Sequence, residues 1–196
     1  MINSVSFDQL NPVSFLDRSS LVYPDKEAVI YKDHRYTYSE FADRVNQLAN
    51  ALSNSSVSAG DRVGFLCPNI PAMLEGHYGP MKLGAILVAI NIRLSSREIL
   101  YILNHSKVKV LVLDAEFSAK ILEIVDQLET VTEFVQVTDD FPINLELSDV
   151  DYETYLSIAT TEPRNIQLDS EIDTVTINYT SGTTGLPKGV EYHARG

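Results

Sequence analysis

The sequence predicts an α/β fold: a mostly parallel sheet with helices packed on it. Three observations predict it. Short apolar runs rich in β-branched residues recur at 62–67, 85–90, 108–113 and 131–137; segments of helical apolar period separate them; and two capping boxes, Thr37 with Glu40 and Ser95 with Glu98, mark helix starts. Strands that alternate with helices at this spacing need crossover connections, which leave the strands parallel and the helices on the sheet faces.

Taken in order, 27–31 and 35–37 read as two short strands joined by a turn at Lys32-Asp33-His34. A helix follows the first capping box. Phe41, Val45, Leu48, Ala49 and Leu52 fall on one face of it, and it ends before Gly60. After the strand at 62–67, Asn69 and Pro71 suit the start of a second helix, which Gly79-Pro80 kinks or ends. The run Ala85–Ile90 is continuously apolar, as a strand buried on both faces requires. The second capping box then opens a helix carrying Ile99, Leu100 and Leu103. Beyond the strand at 108–113, the spacing of Phe117, Ile121, Leu122, Ile124, Val125 and Leu128 predicts a helix over 115–128, and 131–137 reads as the next strand.

From Asp139 to Asp173 the chain carries ten acidic residues against Arg164 alone, with Pro142 and Pro163 as breakers. A solvated acidic connector over 138–173, with a short helix near 151–158, is the plain reading; an acidic partner-binding patch is the other. Asp139-Asp140 likewise reads either as a turn or as a carboxylate pair.

The chain has 196 residues, 44% of them hydrophobic, enough for a real core. Its 27 acidic residues outnumber 15 basic ones, for a net charge of −12. No basic stripe is present, which argues against nucleic acid and anionic membrane surfaces as partners. A small anionic ligand needs only a local positive site. No apolar run approaches the ~18 residues of a membrane span, and the first residues lack a secretory pattern. The expected location is cytoplasmic, with an organelle also open. Cys67 has no second cysteine to pair with and follows Val63-Gly64-Phe65-Leu66, so it is expected in a buried strand. His34, His77 and His105 share no ligand-like spacing and read as structural or surface residues.

The most informative stretch comes last. Thr174–Tyr179 has the composition of a strand, and it runs into Thr180, Ser181, Gly182, Thr183, Thr184 and Gly185, with Lys188 three residues on. Four hydroxyls in five residues, with glycines that let backbone N–H groups converge, suit the oxygens of a polyphosphate, and Lys188 adds a flexible positive charge. A Ser/Thr/Gly-rich turn that merely links two strands has the same composition. The spacing is not that of a Walker A loop, which places its lysine directly after the second glycine.

As a full string, Tyr179-Thr-Ser-Gly-Thr-Thr-Gly-Leu-Pro-Lys-Gly-Val190 resembles the phosphate-loop signature of the adenylate-forming (AMP-binding) superfamily, which includes acyl-CoA synthetases, coumarate ligases, luciferases and peptide-synthetase adenylation domains. Tyr36-Thr-Tyr-Ser-Glu-Phe41, Met81-Lys-Leu-Gly-Ala-Ile86 and Asn91-Ile-Arg-Leu94 are similar to its earlier blocks. Asn11–Leu16 and Tyr23-Pro24 look like the opening of the fatty-acyl and plant-type acyl-activating branch. Glu191 and Ala194 depart from that branch, which usually has an apolar residue and a histidine there.

The resemblance implies a carboxylic acid, ATP and coenzyme A as substrates, with Mg²⁺. It implies that Thr180, Ser181, Gly182, Thr183, Thr184 and Gly185 hold the β and γ phosphates, and that Lys188 is catalytic, offsetting charge as pyrophosphate leaves. The text at 192–196 points to short- or medium-chain acyl groups. Residues 1–196 would then be part of an N-terminal AMP-binding domain, with 174–190 as its strand and phosphate loop. The C-terminal domain and the remaining nucleotide contacts would lie in a missing downstream chain, leaving this chain inactive alone. The alternative is a non-catalytic nucleotide- or polyphosphate-binding remnant.

Overall fold

The apolar runs of the sequence become strands buried on both faces. A computed structural model describes residues 10–164, 170–180 and 186–195. Among these, eight strands form: β1 (Glu27–Tyr31), β2 (His34–Thr37), β3 (Arg62–Leu66), β4 (Ile86–Ala89), β5 (Val108–Asp114), β6 (Glu133–Val137), β7 (Thr174–Thr180) and β8 (Lys188–His193). The helices are α1 (Pro12–Val22), α2 (Tyr38–Asn54), α3 (Pro71–Gly76), α4 (Ser96–Ser106), α5 (Ser118–Leu122) and α6 (Tyr152–Ser157). Six strands make one sheet in the order β6-β5-β3-β4-β7-β8. It is parallel except for β8, which runs antiparallel to β7. The pair β1–β2 forms a separate antiparallel hairpin.

Because side chains alternate along a strand, each central strand feeds two cores. Val63, Phe65, Val110, Val112 and Val135 join Leu48 and Leu52 of α2 and Tyr155 and Leu156 of α6 in one cluster. Leu66, Val88, Leu111 and Leu113 join Ile99, Ile102 and Leu103 of α4 and Ile121 of α5 in another. Each such side chain, once fully buried, contributes about 1.5–3 kcal/mol. The layers are helix, sheet, helix.

Both capping boxes form. At α2 the Thr37 N–H donates to Glu40 Oε2 at 2.7 Å and Thr37 Oγ1 accepts from the Glu40 N–H at 3.2 Å; at α4 the Ser95 N–H reaches Glu98 Oε2 at 2.9 Å. The segment after β3 packs so closely that two glycines are needed for space. A Cβ on Gly76 would lie 2.8 Å from the Phe65 ring, and one on Gly79 would lie 2.5 Å from Leu48 Cδ2.

Three stretches differ from the sequence reading. The expected helix over 115–128 is broken into 3₁₀ turns at Ala115–Phe117 and Val125–Gln127 around the short α5. Its last turns close through i→i+3 bonds, from the Ile124 N–H to Ile121 O and from the Gln127 N–H to Ile124 O. Phe117, Ile121 and Ile124 are nevertheless buried together. Asn69 does not start α3; Ile70 stands at the N-cap without a side-chain bond, and the helix has only six residues.

The third is the acidic stretch, which is tied into the body. Tyr152 and Leu156 of α6 are buried, at 1% and 2% exposure. The buried Gln136 carboxamide accepts from the Asn144 N–H and donates to Asn144 O and Ser148 O. Arg44 bonds both Glu75, at 2.6 Å, and Glu153, at 2.7 Å, and the Tyr152 hydroxyl donates to Glu75 at 2.6 Å. Asp139 and Asp140 both accept from Lys32 Nζ, at 2.9 and 2.6 Å, and Tyr31 also donates to Asp139. These carboxylates clasp the hairpin to the end of β6.

Candidate functional site

A parallel sheet gathers the C-terminal ends of its strands on one edge, and ligands of open α/β sheets bind outside that edge. Here β3 runs out into Cys67-Pro68-Asn69, β4 into Asn91 and Ile92, and β7 ends at Thr180. Between these ends lies a cleft of about 540 Å³, lined by Cys67, Asn69, Asn91, Asn178 and Tyr179 among others. Apolar side chains such as Met73, Ile90 and Leu94 share its lining with the three asparagine amides. The Cys67 thiol is buried, which pushes its pKa well above the ordinary thiol range, so it is not a poised nucleophile.

The hydroxyl- and glycine-rich stretch lies in sequence between β7 and β8. Thr180, the last residue of β7, pairs with Lys188, the first of β8, so the two flanks of the loop are neighbours across an antiparallel ladder. Both side chains are exposed. Among the described residues Lys188 joins no ion pair. The expected ligands Ser181, Gly182, Thr183, Thr184 and Gly185 lie outside the described residues.

The flank before the loop is held by groups that sequence reading treated as bland. The Tyr179 hydroxyl lies 2.7 Å from His105 Nδ1 on α4. Its ring meets His105 and Tyr101 edge-on, with centroids at 5.8 and 6.5 Å, while Tyr101 and His105 stack at 5.2 Å. Burial raises the Tyr179 phenol above its ordinary pKa, so it stays protonated at neutral pH. On the other flank, Gly189 faces Tyr179 in register, and a Cβ there would lie 3.2 Å from the Tyr179 ring. The signal available in sequence was the i, i+4 spacing of Tyr101 and His105 on one helix face.

The two departures noted after the loop have local explanations. Glu191 lies on the exposed β8, accepting from Thr174 Oγ1 at 3.0 Å. Ala194 is buried with Val13, Met81 and Val175, where a small apolar residue packs. Among the described residues no group of three His, Cys, Asp or Glu is arranged to hold a metal ion. Among them also, no helix is long and apolar enough to cross a membrane.

A family described as AMP-binding enzyme matches residues 16–196. The chain is 39% identical over 197 aligned residues to 4-hydroxybutyrate–CoA ligase 2 of Metallosphaera sedula, covering 97% of this chain and 35% of that protein. It is 35% identical to the peroxisomal acetate/butyrate–CoA ligase AAE7 of Arabidopsis thaliana, covering 97% of this chain and 36% of that one. Among solved structures, the anthranilate CoA ligase AuaEII in complex with anthranoyl-AMP superposes over the whole chain with a TM-score of 0.87 at 28% identity, covering 37% of that chain. The N-terminal domain of FACL13 from Mycobacterium tuberculosis gives 0.82 at 30% identity, covering 94% of this chain and 44% of that one. The chain spans about a third of the length of the curated relatives it matches.

Proposed function

Because the chain belongs to the AMP-binding enzyme family, we propose that it supplies the phosphate-binding part of an ATP-dependent acyl-CoA synthetase. The observation that carries this reading is the pairing of Thr180 with Lys188, which sets both flanks of a hydroxyl- and glycine-rich loop at the C-terminal edge of a parallel sheet. Relatives named as CoA ligases support it. In the proposed reaction a carboxylate oxygen attacks the α-phosphorus of ATP. The bond from that phosphorus to the bridging oxygen breaks, pyrophosphate leaves, and acyl-AMP remains. The thiol of coenzyme A then attacks the acyl carbonyl, loses its proton and expels AMP.

Within that scheme the part of this chain is positioning and charge. Thr180 and Ser181 through Gly185 hold the β and γ phosphates by N–H and O–H donors. The Lys188 ammonium offsets negative charge as it develops on the departing pyrophosphate. Mg²⁺ enters this reading with ATP; the described residues assemble no protein cluster for it, and no step is assigned to it. Residues 1–196 are read as part of an N-terminal AMP-binding domain, in keeping with the family match over 16–196. Short-chain acids are the favoured carboxylates, in keeping with the hydroxybutyrate and acetate/butyrate names of two relatives. Cytoplasm is the proposed location, with the peroxisomal relatives keeping an organelle in view.

A second reading is a nucleotide- or polyphosphate-binding module without ligase activity, which a hydroxyl- and glycine-rich loop followed by a lysine would by itself serve. Calorimetric titration with ATP, pyrophosphate and AMP, followed by carboxylate-dependent pyrophosphate exchange, separates the two. Binding of ATP and pyrophosphate without exchange supports the binding module for the 196-residue chain; exchange establishes catalysis; binding of neither removes the phosphate role of the loop.

A further inference from the structure

We infer that His105 and Tyr179 form a clamp that positions the phosphate loop, with His105 a positioning residue on α4 acting through the Tyr179 hydroxyl. The inference rests on the phosphate-binding reading of the loop.

Tyr179 is the residue directly before Thr180, and Gly189 directly follows Lys188. One ring therefore touches both flanks: it belongs to the first and lies over the second, where a Cβ at Gly189 would crowd it at 3.2 Å. Its hydroxyl is tied to His105 Nδ1 at 2.7 Å, and His105 is in turn stacked on Tyr101 one helical turn earlier at 5.2 Å. Leu186 and Pro187 line one hollow together with Tyr101, Asn104 and His105. A hydrogen bond fixes what stacking alone leaves free, the rotation and depth of the ring. With Tyr179 set, the spacing of Thr180 from Lys188 is set too, and donors held in advance lose less entropy when an anion arrives. The capping box and the buried Ile99, Ile102 and Leu103 of α4 make the platform rigid.

The test uses the 196-residue chain with ATP and AMP as probes, and circular dichroism to verify folding. Tyr179→Phe keeps the ring and removes only the hydroxyl. It and His105→Ala are each expected to weaken ATP binding about 2- to 12-fold, the range of one neutral hydrogen bond. The double variant should be no weaker than either single one, because both remove the same contact. His105→Asn, whose amide reaches near the place of Nδ1, should restore most of the affinity, and AMP affinity should stay unchanged throughout. Additive losses, failure of the asparagine to restore, or unchanged ATP binding overturn the clamp while leaving the loop's phosphate role intact. If the unaltered chain binds neither ATP nor pyrophosphate, both ideas fall. Should His105→Ala not fold, Tyr179→Phe against His105→Asn decides.

Discussion

Arg44 donates from Nε to the Glu75 carboxylate at 2.6 Å, and none of the Glu75 side chain reaches solvent. The charge is tolerated because Tyr152 also donates to it, and because Arg44 spreads its own charge between Glu75 and the exposed Glu153. Burial alone would pull the guanidinium pKa down, but the Glu153 and Glu75 contacts more than reverse it. Arg44→Met should therefore leave a buried carboxylate unpaired and cost about 3–5 kcal/mol. Tyr152→Phe should cost less, about 1–3 kcal/mol, as one donor is lost. Urea unfolding followed by circular dichroism measures both; a loss under ~1 kcal/mol for Arg44→Met would mean that water replaces the guanidinium.

Gly79 is expected to be intolerant for a steric reason. A Cβ there would come within 2.5 Å of Leu48 Cδ2, and Leu48 is fully buried in α2. Gly79→Ala should destabilise by about 1–3 kcal/mol through overpacking. Combining it with Leu48→Ala, which removes both Cδ2 and the Cγ at 2.7 Å, should cost less than the sum of the two single changes, and simple additivity in the same unfolding assay would refute the clash.

Much of this architecture was legible because its signals are local. Thr37 with Glu40 and Ser95 with Glu98 announce helices that form where the spacing put them, and the apolar run before Asn91 becomes β4, with Val88 fully buried. The first helix escaped reading, although Asn11 accepts from the Ser14 N–H and Pro12 sits at N1, because few apolar residues in α1 face the core. Periodicity found the buried face of 115–128 and missed its broken ladder, since 3₁₀ turns can carry nearly the same apolar spacing. The acidic stretch looked solvated because composition does not reveal partners. Glu153 meets Arg44, and Asp139 meets Lys32, across more than 100 residues of sequence. The loop string pointed to the family that the match over 16–196 shows, whereas His105 became informative only once α4 lay beside Tyr179.

Acid should weaken the fold partly through its helix caps. The Thr37 N–H and hydroxyl hold the Glu40 carboxyl below its usual pKa, and the Ser95 hydroxyl and N–H do the same for Glu98. A carboxylate whose pKa is depressed on folding contributes stability that is fully present above its unfolded value. That contribution is lost as pH falls through the folded one. Stability should thus begin to drop below the ordinary glutamate pKa of about 4.3. A Glu40→Gln, Glu98→Gln double variant should start lower at neutral pH and show a shallower decline in that acidic window. Unfolding curves that stay parallel to those of the unaltered chain down to strongly acidic pH would show that the caps do not titrate with folding.

Lys188 and Thr180 should separate by the kind of contact each offers. Lys188 stands exposed at the start of β8, and among the described residues its charge joins no ion pair. Loss of a charge-assisted bond is worth about 1.5–3 kcal/mol, and loss of a neutral hydroxyl bond about 0.5–1.5 kcal/mol. Lys188→Ala should therefore weaken ATP and pyrophosphate binding by roughly 10- to 150-fold, and Thr180→Ala by roughly 2- to 12-fold. The lysine is assigned to the phosphates that leave together, so AMP affinity should hardly change in either variant. The loss for Lys188→Ala should also shrink as salt rises, because screening weakens an exposed charge contact that the alanine no longer makes. Calorimetric titration at two ionic strengths reads all of this. Equal losses for ATP and AMP would assign Lys188 to the α-phosphate or to the fold, and would remove it from the departure of pyrophosphate.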